Sequence, residues 1–183
     1  MVKPDTWIRE MALKHEMIKP FAEGNARQGV ISYGLSAYGY DMRISDTYKV
    51  FSGKGMVDPK NQASDMYTDI TTDILELPAH TTALAQSVEY FRIPREIITV
   101  TFGKSTYARC GVFVNVTPFE PEWEGYVTIS LNNLNNYPVR LYSGEGIAQV
   151  LFLGGDGVCE ISYADKKGKY QAQKGITISK IGH

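Results

Sequence analysis

The chain has 183 residues, of which 43% are hydrophobic and 21% are charged, and its formal net charge is −1. This length predicts a single domain, residues 1–183, with a sizeable core. The near-neutral charge argues against non-specific nucleic-acid binding, which needs a broad basic face, and no apolar run approaches the length of a membrane span. Cys110 and Cys159 imply no disulfide framework, so we expect free thiols and a cytoplasmic protein.

One helix is predicted near the start of the chain, from about residue 4 to residue 17. Hydrophobic side chains recur there at helical spacing, and Asp5 or Thr6 can cap the first turn. The helix is expected to end before Pro20, because proline cannot continue a helix. Residues 24–39 are rich in glycine and small side chains, which predicts irregular chain.

Short β-strands are predicted from residue 40 onward, because β-branched and aromatic residues cluster there between turn residues. The expected ranges are 40–44, 48–51, 69–77, 82–91, 97–102, 112–116, 125–131, 139–142 and 147–153. Many short strands at near-regular spacing indicate a mainly β protein, either a barrel or a sandwich.

A polar cluster follows the strand predicted over residues 97–102. The sequence there is GKSTYARCG, and it carries Lys104, Ser105, Thr106 and Arg109. Hydroxyls donate hydrogen bonds, and the planar guanidinium of arginine forms paired hydrogen bonds with a phosphate or a carboxylate. The segment therefore predicts either an anion site or a solvated turn that begins a basic helix.

Two other segments carry polar side chains suited to a ligand. Residues 115–125 form a loop with three glutamates beside aromatic residues and a glycine. Residues 168–175 form a basic, amide-rich segment between two glycines. Each segment taken singly is equally typical of a solvated surface, and only their combination suggests a site.

Several chemistries are excluded because their motifs are missing from the sequence. A zinc-dependent nucleobase deaminase requires His-x-Glu and Pro-Cys-x-x-Cys, and neither occurs, so no zinc site is predicted. The Gly-Lys-Ser at residues 103–105 lacks the earlier glycine of a Walker phosphate loop. The Gly-x-Ser-x-Gly of a serine hydrolase does not occur either.

The order of the motifs resembles that of the metal-independent dCTP deaminases, which belong to the trimeric dUTPase superfamily. The resemblance extends over essentially the whole chain and includes residues 36–43, 103–111, 114–125, 145–149 and 166–175. It implies a distorted β-barrel subunit with an N-terminal helix, a homotrimer, and active sites built between subunits. It also implies deamination of dCTP, bound as its magnesium triphosphate, to dUTP and ammonia.

The resemblance also assigns roles to individual residues. Ser105, Thr106 and Arg109 match the hydroxyls and the arginine that contact the phosphates and help to hold the catalytic water. Glu120 matches the water-activating aspartate of the related dUTPases. The family's Mg²⁺ is held by the triphosphate, so no metal ligand is expected from the protein. The other residues matched to nucleotide or phosphate contacts are Lys104, Gln149, Tyr163, Lys169, Tyr170 and Gln173, and residues 163–175 match a C-terminal lid segment.

One position departs from the family pattern. After residues 127–129 the family has a glutamate that serves as general acid and base, and this chain has Ser130. Deamination of cytosine adds water at C4 and expels ammonia, and a carboxylate can move the protons that both steps require. A serine hydroxyl cannot act as a base near neutral pH without a partner. Ser130 therefore predicts slow deamination, or none, unless another carboxylate reaches the site.

Three interpretations follow from Ser130. In the leading one, the chain deaminates dCTP with Glu120, Glu122 or Glu124 in place of the missing glutamate, because the other motifs match that substrate. In the second, it hydrolyses a deoxynucleoside triphosphate as dUTPases do, with Glu120 as the base. In the third, it binds a nucleotide without turnover, or it accepts a modified base in the space that the smaller side chain leaves.

Overall fold

The predicted N-terminal helix is present in a computed structural model, which describes residues 1–180, as α1, Asp5–His15. Ile8 and Ala12 lie four positions apart on one face of α1, and both are buried. The helix ends at Glu16, whose φ of 52° is left-handed and whose N–H donates to the Met11 carbonyl oxygen.

Short antiparallel strands form most of the remaining regular structure. Within residues 1–180 they are β1 Ile18–Lys19, β2 Gly34–Ser36, β3 Gly39–Phe51, β4 Tyr67–Thr71, β5 Ile74–Leu77, β6 Thr82–Arg92, β7 Ile97–Gly103, β8 Val112–Asn115, β9 Glu124–Asn133, β10 Val139–Tyr142 and β11 Gly146–Gly154. A five-residue helix, α2, Ser105–Arg109, joins β7 to β8, and a single 3₁₀ turn, Ser64–Met66, precedes β4.

Most of the strands form one antiparallel sheet that curls into a nearly closed barrel. Its order is β7-β11-β3-β6-β9-β8, with β1 against β6 and with β2 and β4 against β3, while β5 and β10 pair separately. The two edges of the sheet approach each other at the end of β7, where a Cβ on Gly103 would lie 2.8 Å from the Cβ of Val114 in β8. A larger residue than glycine would hold these edges apart. The mainly β, barrel-like fold expected from the sequence is confirmed.

Alternating burial along the strands builds the core. Buried and partly exposed positions alternate along β6 and β9, as expected for strands with one face inward. The other face of β9 carries Tyr126, Thr128, Ser130 and Asn132. The largest fully buried side chains belong to Tyr40, Tyr48, Phe91, Phe152, Ile8, Met17, Ile18, Met42, Ile44, Leu77, Ile97 and Ile129.

An ion pair is buried in the barrel wall between β3 and β6. The carboxylate of Glu89, which is fully buried, accepts hydrogen bonds from the Arg43 side chain at 2.7 Å, from the Arg43 backbone N–H at 2.9 Å and from the Tyr40 hydroxyl at 3.2 Å. Burial raises the pKa of Glu89, and the Arg43 charge opposes that shift. Because a broken pair would leave a buried charge without a partner, these contacts favour one register of β3 against β6.

The strand predictions are wrong about the continuity of residues 40–51. They form the single strand β3, whereas two strands were expected. The register against β6 shifts between Ile44 and Tyr48, and this irregularity carries the pairing through the polar residues that interrupt the hydrophobic pattern. Part of the segment predicted to be irregular, residues 24–39, also joins the sheet, because β2 pairs with the start of β3.

The opposite error occurs at residues 69–77, which were predicted to form one strand and instead divide into β4 and β5. The N–H of Thr72 donates to the carbonyl oxygen of Asp46, and the Thr72 hydroxyl donates to the carbonyl oxygen of Ile74, so the chain turns there. Beyond the turn, β5 pairs with β10 rather than with β3. Those partners lie far away in the sequence, and the local alternation does not reveal the break.

Candidate active site

The loop between β8 and β9 is fixed to the barrel by buried contacts. The hydroxyl of Thr99, which is fully buried, accepts a hydrogen bond from the Phe119 N–H at 2.7 Å. The Thr99 N–H donates to the Phe119 carbonyl oxygen at 3.2 Å. The rings of Phe119 and Trp123 stack with their centroids 5.0 Å apart. These contacts hold the backbone on both sides of Glu120 in one arrangement.

The C-terminal segment, residues 163–175, lies against this loop and the start of β9. Gly125 and Gln173 form a parallel bridge, and a Cβ on Gly125 would lie 2.9 Å from the Gln173 nitrogen. The Tyr126 N–H donates to the Gln173 carbonyl oxygen at 2.9 Å, and the Gln173 side-chain amide donates to the Thr128 hydroxyl at 2.6 Å. Gly125, with a φ of 150°, therefore permits an approach that a side chain would block.

Aromatic side chains fix the rest of the C-terminal segment. The Trp123 indole N–H donates to the Tyr170 carbonyl oxygen at 2.9 Å, and the Tyr170 N–H donates to the Tyr163 hydroxyl at 3.1 Å. The Lys169 ammonium lies over the Tyr170 ring, 5.1 Å from its centroid. The ring of Tyr163 packs so closely on Gly168 that a Cβ at this glycine would overlap it.

Replacing Gly168 by Ala is expected to weaken the docking of the C-terminal segment by about 1–3 kcal/mol, the usual cost of overpacking. The added methyl group displaces the Tyr163 ring, and with it the hydroxyl that binds the Tyr170 N–H. The measurement is the rate of tryptic cleavage after the exposed lysines of residues 163–175, which rises as the segment opens locally. Gly157→Ala is the control, because a Cβ there meets nothing within 4 Å. Equal cleavage rates in the two variants would contradict the packing.

The loop and the C-terminal segment enclose a cavity of about 880 Å³. Its wall is largely aromatic and apolar, with Phe119 and Trp123 on the loop side. A volume of this order and a mostly apolar lining with a few polar groups are typical of small-molecule sites, which measure about 300–1,000 Å³. The predicted site residues that line it are Glu120, Tyr163, Lys169, Tyr170 and Gln173.

The three glutamates of the loop differ in their surroundings. Glu120 lines the cavity, and one of its carboxylate oxygens lies 3.5 Å from the ammonium nitrogen of Lys166. Glu122 instead pairs at 2.6 Å with an arginine between β6 and β7, and Glu124 pairs at 3.4 Å with the arginine that ends β6. Among the three carboxylates proposed from the sequence, Glu120 is therefore the one placed to reach a ligand in the cavity.

The predicted phosphate-binding residues of α2 do not line this cavity. Ser105, Thr106 and Arg109 occupy exposed positions, and Thr106 borders a second, open hollow of about 490 Å³. The helix is anchored by Tyr107, which is buried and whose hydroxyl accepts a hydrogen bond from the Tyr142 N–H at 3.4 Å. Burial raises the pKa of Tyr107 to about 12, so this hydroxyl stays protonated.

Lys104 and Gln149 lie in the barrel wall near α2. The Lys104 ammonium donates to the Asp41 carboxylate at 2.5 Å and to the Ser32 hydroxyl at 3.1 Å. The Lys104 and Asp41 side chains are only 13% and 15% exposed, so a phosphate that binds this lysine would compete with a shielded ion pair. Gln149 is half-buried on β11, opposite Asp41 on one side and Phe102 on the other.

Ser130 lies on the outer face of β9, outside the residues that line the cavity. It lies two residues from Thr128, which lines the cavity, and it pairs with Asn115, the residue before the cavity-lining Val116. The Ser130 hydroxyl accepts a hydrogen bond from the side-chain amide of Asn132 at 3.3 Å. An amide is not a proton acceptor of the kind that activates serine, so this contact does not make Ser130 a base.

Sequence reasoning assigned no role to two residues that shape the cavity, Trp123 and Thr128, which bind the C-terminal segment. Away from the cavity, it also assigned no role to Asp41, which holds Lys104. The partner of Thr128 is Gln173, 45 residues further along the chain, and no local pattern indicates that contact.

Residues 1–180 contain no candidate metal centre and no membrane-spanning helix. In this range no group of three or more His, Cys, Asp and Glu side chains is arranged to hold a metal ion. Over the same residues, no helix combines the length and the apolar character needed to cross a membrane. The expectation that Mg²⁺ arrives with a triphosphate stays a prediction.

The sequence matches known proteins over nearly its whole length. Residues 2–155 match the family model described as dCTP deaminase-like. A dCTP deaminase from Chloroflexus aurantiacus is 56% identical over 182 residues, which cover 98% of this chain and 98% of that protein. A dCTP deaminase from Chlamydia abortus is 56% identical over 185 residues, which cover 97% of each chain.

A solved structure shares the fold. It is the crystal structure of 2′-deoxycytidine 5′-triphosphate deaminase from Agrobacterium tumefaciens, with a TM-score of 0.65, 13% identity and coverage of 84% of this chain. This chain spans about half, 48%, of the length of that one. At so low an identity the likeness supports the barrel fold alone, whereas the family match and the 56% identical relatives carry the assignment. The chain belongs to the dCTP deaminase-like family.

Proposed function

We propose that this protein is a dCTP deaminase, which converts dCTP and water to dUTP and ammonia. The observation that carries the proposal is the 56% identity, over nearly the full length, with proteins named dCTP deaminase. The cavity supports it, because Lys169 supplies positive charge for phosphates and the rings of Phe119 and Trp123 supply apolar surface for a base. Gln173 adds an amide that can bind sugar or base oxygens.

Proton transfer in this proposal depends on Glu120. Water adds to C4 of cytosine, the carbon–nitrogen bond at C4 breaks, and the amine leaves as ammonia with one proton from the water, while the other proton of the water ends on N3 of the uracil ring. A carboxylate can accept that proton and return it to the leaving group. Glu120 is the carboxylate of the β8–β9 loop that lines the cavity, whereas Ser130 can only orient water or substrate.

The site is completed by a neighbouring subunit of a homotrimer in this proposal. Arg109 and the two hydroxyls of α2 are exposed and separate from the cavity of their own subunit, which suits a role in the cavity of another. Large apolar side chains are also exposed close to α2 and on β8: Phe102 is 59% exposed and Phe113 is 56% exposed. Burial of such side chains in an interface is favourable. Light scattering should then give three times the chain mass of 20.4 kDa.

Mg²⁺ enters the proposed site with the nucleotide. It neutralises part of the triphosphate charge, and Arg109 and Lys169 are the side chains proposed to bind the remaining phosphate oxygens.

A cytoplasmic location is part of the same proposal. It is supported by Cys110, a free and exposed thiol that suits a reducing compartment.

The test is incubation of the purified protein with Mg²⁺ and either dCTP or dUTP, followed by anion-exchange chromatography. Conversion of dCTP to dUTP, with release of ammonia and loss of activity in Glu120→Gln, would support the proposal. A monophosphate and pyrophosphate from either nucleotide would instead indicate the dUTPase-like hydrolysis. Binding without any product would indicate a protein that holds its nucleotide unchanged.

Removal of residues 169–183 is expected to leave the barrel folded and to weaken nucleotide binding strongly. In the removed range Gln173 packs on Gly125 and binds Thr128 on the outer face of β9, while the strands and their core stay intact. Circular dichroism and thermal unfolding would report the fold, and calorimetric titration with Mg²⁺ and dUTP would report binding. A truncated chain that does not fold would show that the segment is structural rather than a lid.

A further inference from the structure

Three segments of the chain meet at Arg95, which lies in the turn between β6 and β7. Its guanidinium donates to the Glu122 carboxylate at 2.6 Å, to the Asp165 carboxylate at 2.7 Å and to the Glu160 carbonyl oxygen at 2.9 Å. A guanidinium is planar and its donors point in fixed directions, so these hydrogen bonds set the geometry between the segments as well as their distance. One side chain therefore joins the β8–β9 loop to the chain that leads into the C-terminal segment.

On the loop side, Arg95 binds the turn that carries Glu120. The Trp123 N–H donates to the Glu120 carbonyl oxygen at 3.0 Å, and Glu122, the third residue of this turn, has a left-handed φ of 62°. Glycine adopts that conformation more readily than glutamate does, so surrounding contacts must hold it in place. They are the ion pair with Arg95 and the hydrogen bond from the Glu122 N–H to the Ile93 carbonyl oxygen at 3.0 Å.

On the other side, Arg95 binds a closed turn at the start of the C-terminal segment. The Asp165 carboxylate accepts a hydrogen bond from the Ser162 N–H, and the Asp165 N–H donates to the Ser162 hydroxyl, which belongs to a buried residue. The Ser162 N–H and the Arg95 guanidinium lower the pKa of Asp165, so its carboxylate stays ionised. Within this turn the Tyr163 N–H donates to the Pro121 carbonyl oxygen at 2.9 Å, and both of these residues line the cavity.

The two sides meet again at Glu120. Lys166 follows Asp165 in the chain, and its ammonium nitrogen lies 3.5 Å from a carboxylate oxygen of Glu120. Arg95 therefore holds both partners of this contact, through Glu122 on the side of Glu120 and through Asp165 on the side of Lys166.

We infer that Arg95 is a positioning residue, which fixes the Glu120 carboxylate and the start of the C-terminal segment relative to each other in the cavity wall. The inference rests on the proposed function, in which Glu120 transfers the protons. Arg95 is not among the residues that line the cavity, so it acts through its neighbours and not on the nucleotide. Without it, the turn that carries Glu120 is free to move away from the reacting atoms.

Nucleotide binding depends much less on Arg95. The Tyr170 carbonyl oxygen is held by the Trp123 indole, and the Gln173 side chain is held by the Thr128 hydroxyl. Neither contact involves Arg95. Its loss therefore affects the chemical step more than the affinity.

The test compares the initial rates of dUTP formation by the unmodified protein and by Arg95→Ala over a range of dCTP concentrations. We expect kcat to fall about 10- to 10²-fold, the cost of a catalytic group displaced by about 1 Å, with KM nearly unchanged. Guanidinium ion, added well below the concentration that unfolds the protein, should restore part of kcat, whereas the same concentration of sodium chloride should not. Arg95→Lys keeps the charge without the planar set of donors, and it should have an intermediate kcat.

Arg92→Ala is the matched control, because Arg92 ends β6 and pairs with Glu124 of the same loop at 3.4 Å. Within residues 1–180 the Arg92 guanidinium forms no hydrogen bond or ion pair with the C-terminal segment, so Arg92→Ala should keep its kcat.

A kcat in Arg95→Ala equal to that of the control, or a loss that guanidinium ion does not restore, would overturn the inference and leave the proposed function standing. If circular dichroism shows that Arg95→Ala does not fold, Arg95→Lys decides, and an unchanged kcat in that variant would overturn the inference. Absence of dUTP from the reaction of the unmodified protein would overturn the inference together with the proposed function.

Discussion

Replacing Ser130 by Glu is expected to raise the rate of dCTP deamination by about 10²- to 10⁴-fold, the usual contribution of a positioned general acid and base. β9 holds residue 130 on the same face as Thr128, and the pairing with Asn115 fixes its register. A glutamate there would extend from the outer face of β9, two residues along the strand from Thr128 in the cavity wall. The measurement is the initial rate of dUTP formation at saturating dCTP.

Ser130→Gln is the control for this gain. It has the size and shape of the glutamate but cannot exchange protons, so it should not exceed the rate of the unmodified protein. An equal gain in the two variants would show that residue 130 acts by filling space. No gain in Ser130→Glu would show that Glu120 already supplies the proton transfers at full efficiency, or that C4 lies elsewhere.

Replacing Arg109 by Ala is expected to weaken triphosphate binding by about 2–5 kcal/mol, the loss when one partner of an enclosed, hydrogen-bonded charge pair is removed. Arg109 is exposed on α2 of its own subunit, and the proposed trimer encloses it against the phosphates of a nucleotide in the neighbouring cavity. Calorimetry with Mg²⁺ and α,β-imido dUTP measures the effect. Arg140→Ala is the control, because Arg140 is 64% exposed and forms only a surface ion pair with Glu76. Unchanged affinity in Arg109→Ala would show that Arg109 does not bind the triphosphate.

Arg109→Ala also distinguishes a site within one subunit from a site shared between two subunits. Arg109→Ala should be inactive because it does not bind the phosphates, and Glu120→Gln should be inactive because it cannot transfer protons. In mixed trimers made by co-expression, some cavities combine an intact Glu120 from one subunit with an intact Arg109 from another, and activity should return. Continued inactivity of properly assembled mixed trimers would contradict a site built between subunits.

The parts of the fold that could be predicted are those with a local pattern. α1 follows from the spacing of Ile8 and Ala12, and β6 follows from strict alternation over its length. The break at Thr72 could not be predicted in the same way, because it depends on a hydrogen bond to Asp46 and on pairing with β10. Contacts between residues far apart in the sequence decided these boundaries.

Motif order could name candidate site residues but not the contacts that each of them makes. It predicts nucleotide-site roles for Glu120 and Lys169, and both residues line the same cavity. Motif order could not show that Lys104 is paired with Asp41, 63 residues away, because that ion pair depends on how β7 and β3 lie on either side of β11. The same limit applies to Ser130, whose face is set by strand alternation but whose neighbour Asn115 is set by the pairing of β9 with β8.

The hydrogen bond from Trp123 to Tyr170 gives the protein an intrinsic optical signal for movement of the C-terminal segment. The chain contains two tryptophans. Trp7 packs near Phe152, with ring centroids 6.4 Å apart, whereas Trp123 lines the cavity. In Trp7→Phe all indole emission would come from the cavity wall, and undocking of the segment would expose that ring to water. Stopped-flow fluorescence could then time closure over a nucleotide separately from the deamination that follows.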